Sequence, residues 1–272
     1  MDTLFAEKPA LIAMIHVGAL PGTPHAEKSV SALADQAAGE ARLLTDLGAD
    51  AILVENMHDR PYLNRGVGPE IVAAMSAIQM AVREQVGPDL PLGIQILAGA
   101  NREALAAAHS TAAQFIRAEG FVFAHVADEG LMPEADAGTL LRYRRGLGAE
   151  GVRVLADIKK KHSSHAITAD LDLVAMARAA EFFGADGLVV TGTETGLPTE
   201  PDHLRQVKTS TTLPVLVGSG VTPENLPDLS KWADGVIVGS YLKRGGKWYN
   251  PPDPERVRTM VEAIRKVRSG GD

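Results

Sequence analysis

Short, almost unbroken apolar runs alternate along the chain with longer stretches in which apolar residues return every three or four positions. The first pattern predicts strands buried on both faces and the second amphipathic helices, so their succession predicts repeated βα units. Eight runs carry the strand pattern: Leu11 to Val17, Ala51 to Glu55, Leu92 to Leu97, Phe121 to Val126, Val152 to Ile158, Gly187 to Thr191, Pro214 to Gly218 and Gly235 to Gly239. Helix starts are readable at Thr168, which opens a stretch through Phe183, at Thr222 ahead of Pro223 and Glu224, and at Asp253 ahead of Pro254 and Glu255. A side chain that accepts from the first free N–H groups, with proline at the first helical position, is the start signal. Helices end at Leu47-Gly48-Ala49-Asp50 and Phe183-Gly184-Ala185-Asp186, and without glycine at Trp232-Ala233-Asp234. This weak internal repeat fits a left-handed cap followed by a tight turn into the next strand.

No Ser/Gly linker or charge block divides the chain, so residues 1–272 are read as one domain, a size α/β barrels routinely reach. Eight strands favour an α/β fold of the single (β/α)8 TIM barrel type over an open doubly wound sheet built from the same alternation. Hydrophobic residues make up 45% of the chain but aromatic ones only 4%, so the core is built from Ala, Val, Leu and Ile, as helices on parallel strands require. The formal charge of -7 speaks against a nucleic-acid surface and leaves room for a local anion site. The absence of cysteine excludes disulfides, Cys-type zinc sites, iron–sulfur clusters and thiol nucleophiles. The N-terminal apolar run stops near Leu20 and has no basic leader, so the expectation is a cytoplasmic protein without integral membrane association. A homo-oligomer is expected, because apolar patches on barrel helices often join copies.

A barrel places its active site at the C-terminal ends of its strands. Reading those ends off the eight runs gives His16, Glu55 with Asn56, Gln95, His125 with Asp128, Asp157 with Lys159, Lys161 and His162, and Thr191 with Gly192. Charge facing inward at that many strand ends is costly unless used, although each residue taken singly also fits a structural role. If Leu53 and Glu55 face inward while Ile52 and Val54 face outward, Glu55 sits at the mouth, either as a general base or as the ion-pair partner of a lysine. Asp157, Lys161 and His162 bring an acid, an amine and an imidazole together after strand five for proton transfer, whereas Lys159 and Lys160 read as a solvated basic loop. His16, Asn56, Gln95, His125, Asp128, Thr191 and Gly192 fall to substrate binding. No ligand spacing demands a metal ion or any other cofactor.

The strongest local signal is Val217-Gly218-Ser219-Gly220-Val221-Thr222, followed about one helix later by Gly235-Val236-Ile237-Val238-Gly239-Ser240. Glycines after strands seven and eight let backbone N–H groups approach an anion, and serines add hydroxyl donors, so Gly218, Ser219, Gly220, Gly239 and Ser240 are the expected phosphate-binding residues. The bland alternative is tight-turn glycine without a ligand. The paired motifs, in this order, resemble the phosphate site of ribulose-phosphate-binding barrels.

Further motifs extend the resemblance over nearly the whole chain. The M-I-H-x-G-x-L-P-G opening at Met14 to Gly22, Ala51 to Asn56, the L-L-R-Y-R-R helix at Leu140 to Arg145, Lys161-His162-Ser163 and the V-G-S-x-L-K-x-x-G-K-W ending at Val238 to Trp248 are together similar to the BtpA/SgcQ family. The resemblance implies a ribulose-phosphate-binding barrel. It also brings two associations, photosystem I biogenesis at thylakoid membranes for some members and neighbouring sugar-metabolism genes for others. Where family members often carry Phe-Gly after the Glu-Asn pair, this chain has Met57-His58, and Phe123 to Asp128 is divergent as well.

Two classes of function follow. The leading one is an enzyme of isomerase or lyase (aldolase) type that acts by acid–base chemistry on a phosphorylated sugar or nucleoside-derived ligand, its phosphate held after strands seven and eight and its reacting carbons turned toward Glu55, Asp157, Lys161 and His162. The alternative is a non-catalytic photosystem I assembly factor of the BtpA type that works through its surface. A metal-dependent hydrolase or transferase built on the same acid and histidine rim is a third version.

Overall fold

The computed structural model describes residues 4–160, 163–192 and 200–270. Among them eight parallel strands close into a barrel, with strand one hydrogen-bonded to both strand two and strand eight. The strands are β1 (Ala10–His16), β2 (Ala51–Glu55), β3 (Leu92–Gln95), β4 (Phe115–Ala118), β5 (Arg153–Ile158), β6 (Gly187–Val190), β7 (Val215–Val217) and β8 (Gly235–Val238). Helices α1 (Val30–Asp46), α2 (Pro69–Val86), α3 (Asn101–Ser110), α4 (Ala137–Leu147), α5 (Leu173–Phe182), α6 (Pro201–Ser210), α7 (Leu226–Ser230) and α8 (Pro254–Arg268) follow the strands in turn. None of the described helices is long and apolar enough to cross a membrane.

Strand period two sorts the apolar residues into two cores. Ile12, Met14, Leu53, Phe115, Leu155, Val189, Leu216 and Ile237 pack inside the barrel. Leu11, Ala13, Ile15, Ile52, Val54, Ile116, Val154 and Ala156 face the helices. The alternation expected for β2 is therefore the one observed. Each helix answers with an apolar stripe; in α8 it is Val257, Met260, Val261 and Ile264, behind the Asp253 side chain that accepts from the Glu255 N–H and Pro254 at the first helical position.

The Gly-Ala-Asp turns do more than reverse the chain. Gly48 and Gly184 take positive φ, as left-handed caps should. The aspartates then cap the neighbouring strand: Asp50, Asp186 and Asp234 accept from the backbone N–H of Leu11, Val154 and Val215 at 2.7, 2.8 and 2.9 Å. The repeat thus satisfies strand-start donors that would otherwise be orphaned at the barrel floor.

Three expected boundaries move. Strand four is Phe115–Ala118, not Phe121 to Val126, because its inward position holds Arg117, whose charge breaks the apolar run yet is neutralised inside the barrel. The segment from Phe121 is instead loop, with Gly120 and Phe123 at positive φ, leading to the short strand His125–Ala127. That strand pairs antiparallel with both Gly130–Met132 and Ser163–Ser164, making a small sheet beyond the barrel ends of β4 and β5. Thr168 closes a turn of 3₁₀ helix, and α5 starts later, with the Asp172 side chain accepting from the Ala175 N–H. Thr222 is likewise no cap: α7 starts at Leu226, and the Asn225 amide spans the preceding loop, accepting from the Thr222 N–H and donating to the Gly220 carbonyl.

Interior space is tight where Phe115 fills the barrel. A Cβ added to Gly93 would lie 2.1 Å from a Phe115 ring carbon. Gly93→Ala is expected to destabilise by about 1–3 kcal/mol through overpacking, read as a lower urea midpoint at unchanged slope.

Candidate active site

Two positions beyond each inner-core residue, one residue per strand faces the mouth: His16, Glu55, Gln95, Arg117, Asp157, Thr191, Gly218 and Gly239. The first six strands thus present polar side chains and the last two present none. A cavity of about 470 Å³ opens between the polar wall and the glycine side.

On the glycine side the cavity is lined by Gly218, Ser219, Gly220, Gly239 and Ser240, all of the expected phosphate residues. Gly220 has φ +70°, and a Cβ on Gly218 would strike Val189 at 2.6 Å and Thr191 at 2.9 Å, so both positions require glycine. The Ser219 hydroxyl oxygen accepts from the Gly192 N–H at 3.1 Å, which leaves the hydroxyl hydrogen to donate. Arg256, from the first turn of α8, also lines this side; its Nε donates to the Tyr241 carbonyl and its guanidinium lies 4.3 Å from the Tyr241 ring centre. Sequence reading missed Arg256, although the Asp253-Pro254 cap that places it was legible.

Across the cavity stand Glu55, Gln95, Arg117, Glu119, Asp128, Glu129, Asp157 and Lys160. Arg117 donates to both carboxylate oxygens of Asp157, at 2.9 and 3.0 Å, in a pair closed to water. Burial pushes the Asp157 carboxyl up while Arg117 pulls it down, and Asp157 holds the Arg117 guanidinium firmly protonated against its own burial. Lys160 is not the solvated lysine its basic loop suggests: its ammonium lies 3.2 Å from Glu119 and 3.6 Å from Glu129. Burial works against its charge, but Glu119 and then Glu129 keep its affinity for a proton above the ordinary value. The His165 imidazole Nε2 reaches the Lys160 carbonyl at 2.9 Å; since a carbonyl only accepts, that nitrogen carries the proton. Arg117, Glu119 and Glu129 were overlooked and Lys160 was read as solvated, because the displaced fourth strand hid the first two and the loops that carry the others have no periodic signal.

His16 lines the cavity and its Nδ1 donates to the Trp248 carbonyl at 2.8 Å. Met57 lines the mouth too, while His58 packs 4.8 Å from the Trp248 ring, which also carries Arg60 at 5.0 Å. Asn56 does not reach the cavity. Its amide oxygen accepts from the Leu97 N–H and its nitrogen donates to Asp59, tying the loops after β2 and β3 together. Thr191 and Gly192 do not line the cavity itself: the Thr191 methyl packs beside Gly218 and the Gly192 N–H donates to Ser219. Lys161 and His162 lie outside the described residues. Among the described residues no three His, Asp or Glu side chains are arranged to hold a metal ion.

His125 lines a smaller recess beside the main cavity, together with Asp157, Lys160 and His165. Burial first, then the Lys160 ammonium and His165, pushes its pKa down to about 4. The unfolded chain binds this proton near pH 6.5, so the contribution to stability is complete above pH 6.5 and is lost as pH falls toward 4. Replacing His125 with Asn should flatten that acid limb by about 2 kcal/mol, a figure discounted for solvent screening, seen by comparing urea midpoints of both proteins at pH 7.5 and 4.5.

Residues 7–266 match the BtpA family along almost the entire barrel. The chain belongs to the BtpA family. An uncharacterized mitochondrial protein of Caenorhabditis elegans is 44% identical over 97% of this chain and 96% of its own length. The photosystem I biogenesis protein BtpA of Synechocystis is 35% identical over 93% of this chain and 87% of its own. Among solved structures, the tryptophan synthase alpha chain of Legionella pneumophila has a TM-score of 0.61 at 17% identity, covering 96% of this chain and 93% of that one. The (S)-3-O-geranylgeranylglyceryl phosphate synthase of Thermoplasma acidophilum, in complex with sn-glycerol-1-phosphate, has a TM-score of 0.60 at 18% identity, covering 96% and 94%. These likenesses show the TIM-barrel fold. Two of the motifs fall on the cavity, the opening with His16 and the ending with Gly239, Ser240 and Trp248, whereas the helix residues Leu140 to Arg145 do not line it.

Proposed function

We propose that this protein is an enzyme acting by acid–base chemistry on a small phosphorylated ligand, of isomerase or lyase type. The observation that carries the reading is one cavity with the Gly-Ser loops after β7 and β8 on one side and the wall of Glu55, Asp157 and Lys160 on the other. Phosphate held by the loops would orient the reacting carbons toward that wall, so that binding energy far from the reacting bond lowers its barrier. Glu55 is the proposed general base. Lys160, kept as an ammonium by its carboxylates, suits polarising a carbonyl oxygen or protonating it better than Schiff-base formation, which needs the neutral amine. The glycerol phosphate bound by the Thermoplasma synthase, a protein of the same fold, supports the ligand class. Calorimetric titration with inorganic phosphate and sugar phosphates, joined to NMR detection of solvent deuterium entering the sugar, tests both halves. Binding with exchange that falls at least a hundredfold in Glu55→Gln is the expected outcome; absence of phosphate binding and of exchange would sink the proposal.

The name of the Synechocystis relative favours a second reading, assembly work through the surface. Phe182 and Phe183, both exposed beside each other at the end of α5, offer such a surface. That reading predicts a stable partner whose capture survives Glu55→Gln and is lost in Phe182→Glu.

A further inference from the structure

Among the described residues, the cavity wall opposite the phosphate loops has more hydrogen-bond acceptors than donors. Gln95 Oε1 is buried without a hydrogen-bond partner, and the equally buried Glu119 Oε2 and Glu129 Oε2 have only one ammonium, that of Lys160, to share; all three residues line the cavity. Among the described residues, the donors nearest these acceptors are already committed. One ammonium, Lys160, stands between two carboxylates. The Gln95 amide nitrogen donates to Glu119, and Arg117 is engaged by Asp157. With Glu55 and Asp128, the described residues bring five carboxylates to the cavity, against the cations Arg60, Arg117 and Lys160 and, on the glycine side, Arg256. The other side is built for an anion, with glycine backbone, Ser219, Ser240 and the Arg256 guanidinium.

Buried acceptors lacking donors are costly, and a ligand that brings O–H or N–H groups relieves them. A ligand carboxylate in the same place adds acceptors and like charge to a wall that already has both in excess. A phosphate group alone also leaves most of a 470 Å³ cavity unfilled. We infer that the end of the ligand facing Gln95, Glu119 and Glu129 is rich in donors and free of carboxylate, so that the site selects a polyhydroxylated sugar monophosphate over the corresponding phosphorylated sugar acid. This rests on the phosphate anchoring proposed above and adds the discrimination at the other end.

The test uses two pairs of probes that differ only at carbon 1, ribose 5-phosphate against 5-phosphoribonate and glucose 6-phosphate against 6-phosphogluconate, with inorganic phosphate as the common reference. Titration calorimetry on the full chain is expected to show each aldose phosphate bound at least tenfold more tightly than its acid, and Glu129→Gln to narrow that ratio. An acid bound as tightly as its aldose in either pair overturns the inference, and so does phosphate binding with all four sugars rejected; neither result touches the phosphate anchor. Failure of all five probes overturns the anchor and this inference with it.

Discussion

Arg117→Met is expected to destabilise the protein by about 3–5 kcal/mol, because it strips the bidentate partner from a carboxylate that has nowhere to find water. Asp157 and Arg117 are each almost fully enclosed and 40 residues apart in sequence, so the pair ties β4 to its neighbour β5 on the inner face of the barrel. The loss should appear as a lower urea midpoint. It should be recovered largely by the double change Arg117→Met with Asp157→Leu, since replacing both charges leaves none unpaired. If the double variant is no more stable than the single one, the penalty comes from lost packing around the guanidinium and the charge argument fails. Recovered folding without recovered turnover would place the pair in the chemistry as well.

Ser219→Asp is expected to weaken inorganic phosphate binding by at least a hundredfold. A carboxylate about 4 Å from a phosphate charge costs on the order of 4 kcal/mol at an effective dielectric of 20. Ser219→Ala, which removes one hydroxyl donor and no more, should cost about tenfold or less, and it serves as the control for folding because the Gly192 N–H then loses only its acceptor. Titration of both variants with phosphate separates the outcomes. Aspartate at this position binding phosphate within threefold of the parent would put the anion elsewhere.

Much of the architecture was legible because it follows from local periodicity. Seven of the eight expected strand runs overlap observed barrel strands, and the glycine loops after β7 and β8 stand where the pairing of Gly218-Ser219-Gly220 with Gly239-Ser240 implied. The fourth run went wrong for one reason: Phe115-Ile116-Arg117-Ala118 contains a charge, and a charge inside a strand reads as a break unless its partner is known. That partner, Asp157, lies 40 residues downstream. The same blindness misplaced Lys160. As Lys159-Lys160-Lys161 it looks solvated, and only the path of the small sheet, which brings Glu129 beside Glu119, turns it into a cavity residue.

The chain by itself determined where strands and helices fall, that they alternate, and that two glycine-rich turns end the series, since hydrophobic period and backbone freedom are properties of neighbouring residues. It also carried the family motifs. What only the tertiary structure decided is which polar side chains share a cavity. Asn56 turned from ligand to tie, Arg256 arrived from the start of α8, and Gln95, Glu119, Glu129 and Lys160 became one wall. The reason is electrostatic. A buried charge or acceptor is tolerable or not according to what lies within a few ångströms, and in a closed barrel those neighbours come from strands tens of residues apart.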